Sequence, residues 1–211
     1  MANWRKTATQ SRSKETEKAL SQSARRLLNK KSFTDIRVDE VARDAGISVG
    51  GYYARFKGKS ALLHLADIDF LDKCLDAFDE AVPEYFTGDL SELLRSYISV
   101  MVHQFSTHRE AMLQIVQHVA ENDSGEFRQR ATVFNEHVHG RLRRIMARNA
   151  SLIAHPDPEL AANMSIFIAS ASARDAVLRK SLEAYPIDLS ENELVDELVR
   201  CAALYLTGQA S

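Results

Sequence analysis

Little in this 211-residue chain stands at a spacing that does covalent chemistry. The seven histidines include no H-x3-H or H-E-x2-H pair, the spacing that turns two imidazoles toward one metal ion on a helix. His137 and His139 are two apart, so on a helix they point about 200° from each other. His103 and His118 stand alone on amphipathic stretches. Cys74 and Cys201 lie far apart and neither belongs to a CxxC pair. No Walker loop or G-x-G-x2-G occurs to mark a phosphate cradle. Neither an enzyme nor a metal or cofactor site is expected. What is unevenly placed is glycine: four of the eight fall between Gly46 and Gly58. Ala45-Gly46-Ile47 reads as a tight turn with Gly46 at positive φ, between a short helix at Val38–Asp44 and a second over 49–55 capped by Ser48. This is a helix-turn-helix, in which Ile47 and Tyr52 can pack between the two short helices and the first. The second helix of such a pair offers its N-terminal residues to a DNA major groove, so the chemistry is electrostatic and hydrogen-bonding.

Charge supports a polyanion partner. Residues 1–63 hold 14 Lys and Arg against 6 Asp and Glu, whereas the remainder holds 13 against 23, a basic head on an acidic body hidden by a formal net charge of -2. The elements that must carry the head and body are helices, because apolar residues recur at helical spacing and no run of period-two alternation appears. Glycine and proline together make only 12 residues, too few for a sandwich or barrel. The fold class is therefore all-α with about nine helices: the first over 14–29, the two short ones, a long fourth over 59–81 ended by Pro83, and five more. Asp89 with Glu92, Asp123 with Glu126 and Ser190 with Glu193 predict capping boxes, and Asp157 before Pro158 predicts another start. The expected organisation is a basic arm over 1–13, a DNA-binding domain over 14–58, and a helical body over 59–211. The polar, basic N-terminus does not look like a signal peptide. The longest stretch without an ionisable residue, 160–173, is too short to span a membrane and reads as a buried helix, so a cytoplasmic protein with no membrane partner is expected.

The segment FTDIRVDEVARDAGISVGGYYARFKGKSALL, residues 33–63, closely resembles the DNA-binding domain of the TetR (tetracycline-repressor) family of bacterial transcriptional regulators. The residues that carry the resemblance are Phe33, Val38, Val41, Ala42, Ala45 to Ser48, Gly50, Tyr53, Phe56, Lys59 and Leu62. It implies that Tyr53 and Lys59 touch phosphates, Lys59 at the start of the fourth helix, where the helix dipole adds to its charge. It also implies that Ser48, Val49, Gly51 and Tyr52 read base edges or adjacent backbone. Arg55 and Lys57 are further candidates for phosphate, although Arg55 stands where the family prefers an aromatic or histidine, and Gly50 with Gly51 is expected to let the backbone approach DNA. Arg37 stands where the family commonly has a threonine that starts the second helix and bonds a phosphate. Arginine supplies that contact without the cap.

The same resemblance implies that the body surrounds a small, mostly apolar effector whose binding releases the operator. Met101, Phe105, Met112, Ile115, Phe134 and Phe167 are the candidate walls, with His103, His118 and His137 to orient it. It further implies a homodimer on a near-palindromic operator. Ala169, Ala173, Ala176 and Val177 of the eighth helix, with Leu198, Ala202 and Tyr205 of the ninth, offer small and apolar residues for that interface. An effector-independent DNA-binding or protein-interaction module of the same fold is the alternative.

Overall fold

The computed structural model describes residues 12–121, 125–179 and 189–208. Among them are nine α-helices: α1 (Arg12–Leu28), α2 (Val38–Asp44), α3 (Val49–Tyr53), α4 (Ala61–Ala81), α5 (Leu90–Thr107), α6 (Arg109–Glu121), α7 (Gly125–Arg148), α8 (Pro158–Arg179) and α9 (Glu191–Thr207). A 3-10 turn at Ala150–Leu152 precedes α8. None of these helices is long and apolar enough to cross a membrane. The expected starts hold where their residues are described. Asp89 and Glu92 bond each other's backbone amides, Ser190 and Glu193 form a full capping box, and Asp157 accepts from the Leu160 amide. Asp123 lies outside the described residues. Helix ends depart from the predicted bounds by about two residues, with α3 stopping at Tyr53 and α4 starting at Ala61.

Two compact units divide the chain, Met1–Asp72 with His108–Ala131, and Lys73–Thr107 with Thr132–Ser211. The division differs from a boundary at residue 58, because α6 and the start of α7 pack with the head.

In the first unit Leu20, Ala24 and Leu28 of α1 are buried with Val41 and Ala42 of α2 and the apolar face of α4 from Ala61 to Phe70. This burial is the main favourable term, and it also encloses polar groups. Asp67 and Asp69 of α4 are buried, and each faces an arginine: Arg130 bonds Asp67 at 2.7 Å, and Arg25 bonds Asp69. Burial pushes the Asp67 carboxyl up, and Arg130 pulls it back down. His64 stacks on Phe127 with ring centres 4.3 Å apart and faces Arg130, Glu126 and His118.

The second unit is a layer of α5, α8 and α9, each packed on the other two. Tyr97 of α5 is fully buried and bonds Ser170 of α8, and burial pushes its hydroxyl up to about 12. Three arginines of α7 bind the segment that follows α4. Arg141 donates to the Val82 carbonyl, Arg144 forks onto Glu84, and Arg148 donates to the Glu84 carbonyl.

The 160–173 stretch corrects an expectation. α8 is buried on one side only: Ala161, Ala162, Ser165, Ile166, Ala169 and Ala173 face inward, while Leu160, Met164, Phe167 and Ile168 are exposed.

Burial, then the positive charges of Arg130 and His118, hold the His64 imidazole down to about 3. The unfolded chain, with an ordinary imidazole near 6.5, therefore binds a proton that the folded chain refuses between about pH 6.5 and 3, and stability falls with pH across that window. His64→Gln, which keeps an acceptor for Arg130, should flatten the pH dependence of the urea midpoint between pH 7 and 4. A slope equal to the parent's would show that His64 does not set it.

Candidate nucleic-acid interface

The turn between α2 and α3 is built as its sequence dictates. The Ile47 amide reaches back to the Ala42 carbonyl at 2.9 Å and the Gly46 amide to Arg43 at 3.1 Å, a pairing that requires the left-handed conformation Gly46 adopts at φ 71°. Ser48 Oγ then accepts from the Gly51 amide at 3.0 Å and starts α3. Five residues long, α3 has one side for the core and one for solvent.

Tyr52 takes the inner side. It is 0% exposed, its ring packs on Phe56, and its hydroxyl donates to the Gly58 carbonyl at 2.9 Å, where Gly58 turns the chain at φ 73°. Burial pushes the phenol well above its usual range. The implied role of Tyr52 in reading bases is thereby corrected: it anchors α3 from within the core. Ser48, Val49, Gly50 and Tyr53 form the outer side, with Lys57 exposed beyond it. Gly51 is half-buried against Ser48 and Arg55. Arg55 folds its Nη1 onto the Gly51 carbonyl at 2.9 Å. Arg37 is the N-cap residue of α2 and makes no side-chain cap, since a guanidinium only donates; it extends into solvent and pairs with Asp39 at 3.0 Å. Lys59, just before α4, donates to the Thr34 carbonyl at 2.9 Å with its ammonium 4.8 Å from the centre of the Phe33 ring.

The candidate effector residues separate. Met112, Ile115 and His118 belong to the first unit, where the first two are buried and His118 packs near Phe127. Met101 and Phe105 are buried in the second unit, in which Phe134 is half-buried. His103 is exposed, His137 pairs with Asp79 at 2.8 Å near the surface, and Phe167 is 63% exposed. These three do not line an interior wall, which corrects their assignment: a helix face cannot be deduced when apolar residues occupy every side of α8. Two grooves have the size of small-molecule sites. One, of about 580 Å³, lies in the second unit with an apolar floor including Met146, Ile153 and Ala162 and with Arg143 and Arg144 at its edge. The other, of about 540 Å³, lies in the first unit between residues 28–34 and α6. Neither was legible in the sequence, because both are formed by residues far apart along it.

The candidate dimer residues divide too. Ala169, Ala173, Val177 and Ala202 are buried within the protomer, so their small size serves the packing of α8 and α9 on each other and on α5. Ala176 and Leu198 are half-buried. Tyr205 is exposed with Leu204 and Cys201.

Residues 20–66 match the family of bacterial regulatory proteins described as the tetR family. The chain is 40% identical over 93 residues to the HTH-type transcriptional regulator EthR of Mycolicibacterium smegmatis, a match covering 44% of this chain and 42% of that protein, less than half its length. Its fold is similar to that of a tetR-family transcriptional regulator from Streptomyces coelicolor, with a TM-score of 0.65 and 20% identity over 91% of this chain and 80% of that one. It is also similar to that of the regulator FadR from Bacillus subtilis, solved in complex with stearoyl-CoA, with a TM-score of 0.61 and 18% identity over 90% of this chain and 98% of that one.

A Cβ added at Gly50 would meet nothing nearer than Ser48 Oγ at 3.9 Å. The fold therefore does not require glycine there, and Gly50→Ala should raise stability by up to about 1 kcal/mol. If the bare backbone is there for DNA, the same variant should bind duplex more weakly than the parent. A variant that melts higher and binds equally well would remove Gly50 from the interface.

Proposed function

We propose that this chain, which belongs to the TetR family through its residues 20–66, is a DNA-binding transcriptional regulator acting as a homodimer. The observation that carries the reading is the two-sided α3: Tyr52 fixes its inner side while Ser48, Val49, Gly50 and Tyr53 are exposed on the outer one. Val49 and Tyr53 meet base edges and sugar-phosphate, and Lys59, Lys57 and Arg37 meet phosphates, which position the helix without reading sequence. A pool of random duplexes passed over the protein should yield near-palindromic sites, since two heads on one two-fold axis meet half-sites a helical turn or a multiple of it apart. Affinity for the recovered duplex should fall steeply with salt through counterion release. Recovery of unordered sequence bound with a flat salt dependence would refute the reading.

The outward stripe of α8, Leu160, Met164, Phe167 and Ile168, together with Cys201, Leu204 and Tyr205 of α9, is the surface we assign to the second copy. Contiguous apolar side chains at i, i+4, i+7 and i+8 stay exposed on one helix at a cost that a partner helix removes. Phe167→Glu should leave helix content unchanged and convert the dimer to a monomer in light scattering, with loss of affinity for the two-half-site duplex. A dimer that survives this change uses another face.

An effector is the finer part of the proposal. A mostly apolar molecule bound to the second unit releases DNA only if it favours the arrangement that does not bind DNA, and DNA then weakens its affinity by the same factor. The stearoyl-CoA held by the Bacillus subtilis regulator of similar fold supports an acyl group as the kind of ligand to test.

A further inference from the structure

The end of α1 and the start of α6 satisfy one another. A helix leaves its last carbonyls and first amides without partners of its own. The Leu28 carbonyl, in the last turn of α1, accepts from Gln114 Nε2 of α6 at 2.8 Å, and the same amide nitrogen lies 3.3 Å from the Lys31 carbonyl. Gln114 Oε1 accepts from the Phe33 amide. In return Asn29 Oδ1 accepts from the Ala111 amide, in the first turn of α6, at 3.0 Å. All of these residues belong to the first unit.

Gln114 therefore grips the α1–α2 connection at Leu28, Lys31 and Phe33. The next residue, Thr34, is the one whose carbonyl holds the Lys59 ammonium, and the Phe33 ring lies against that ammonium. The segment fixed by Gln114 is thus the segment that aims Lys59. An ammonium has three donors, so Lys59 can keep its bond to Thr34 while donating to a phosphate, and a direction set beforehand spares the lysine the loss of freedom on binding.

We infer that Gln114, 55 residues from Lys59 and outside the helix-turn-helix, is a positioning residue for DNA binding: it clamps the 28–34 connection so that Lys59 points at the phosphate. The inference rests on the DNA-binding reading above. It also places a residue of α6, the first helix after the chain re-enters the first unit at His108, in control of a phosphate contact.

The test compares the parent, Lys59→Ala, Gln114→Leu and the double variant, each binding the duplex that the parent recovers from a random pool, across a range of salt. Lys59→Ala should reduce the slope of log affinity against log salt by about 0.9, one phosphate's worth. Gln114→Leu should weaken binding by on the order of tenfold and reduce the slope in the same direction, and the double variant should be no worse than Lys59→Ala alone, as coupled residues require. General loosening of the fold would weaken binding at an unchanged slope and would add to the Lys59 effect. If Gln114→Leu does not fold, Gln114→Glu, which keeps the acceptor for Phe33 but loses the donor to Leu28 and Lys31, gives the same comparison. Gln114 variants with the parent's slope, beside a Lys59→Ala variant that has lost it, overturn the inference. An unchanged slope in Lys59→Ala overturns the phosphate assignment and the inference with it.

Discussion

A carboxylate taken out of water must find a cation, and α4 takes two of them. Asp67 and Asp69 are buried on the first half of that helix, and the arginines that answer them come from different elements, Arg130 from the start of α7 and Arg25 from α1. Each arginine also donates to an imidazole Nδ1, Arg130 to His64 at 3.2 Å and Arg25 to His108 at 3.0 Å. Because a guanidinium only donates, both imidazoles must accept there and so carry their proton on Nε2. Losing either partner of a buried ion pair costs about 3–5 kcal/mol, whereas the pair as a whole adds little net stability. The two sets therefore act as constraints on which elements can lie together: α1, α4, the start of α6 and the start of α7 pack in one way that leaves no buried charge alone.

The parts of the head that were legible in the sequence are those whose cause is local. Gly46 at positive φ, Ser48 on the Gly51 amide and the boxes at Asp89 and Ser190 each depend on residues within five positions, so spacing alone identifies them. Gln114 and Asn29 could not be found that way. Their partners lie about eighty residues off, and an amide on an amphipathic helix has the same pattern whether it faces water or another backbone. Tyr52 carried two readings, inward packing from its place beside the turn and base contact from the resemblance, and its burial decides for the first. Similarity of sequence aligns a residue with a segment, but on a helix of five residues only packing decides which side chain turns inward.

The body shows the limit of small size and apolarity as signals. Ala169 and Ala173 permit close approach, and within the protomer that approach is made by α5 and α9. The large residues one step round the helix, Met164 and Phe167, remain outside. A stretch without charge on any side does not say which of its faces is satisfied first, since the nearest helices in the same chain compete with any partner for it.

The inward turn of Tyr52 separates two kinds of selection along α3. The side chain that secures the helix, through its bond to Gly58, faces inward, while Val49 and Tyr53 face outward, Tyr53 with its ring edge-on to Tyr52 at 5.2 Å between ring centres. Val49, 40% exposed, is thus the outer position where a change costs the fold least. In a regulator that reads DNA through such a helix, sequence preference is free to drift, or to be redesigned, in small viable steps that keep the scaffold intact.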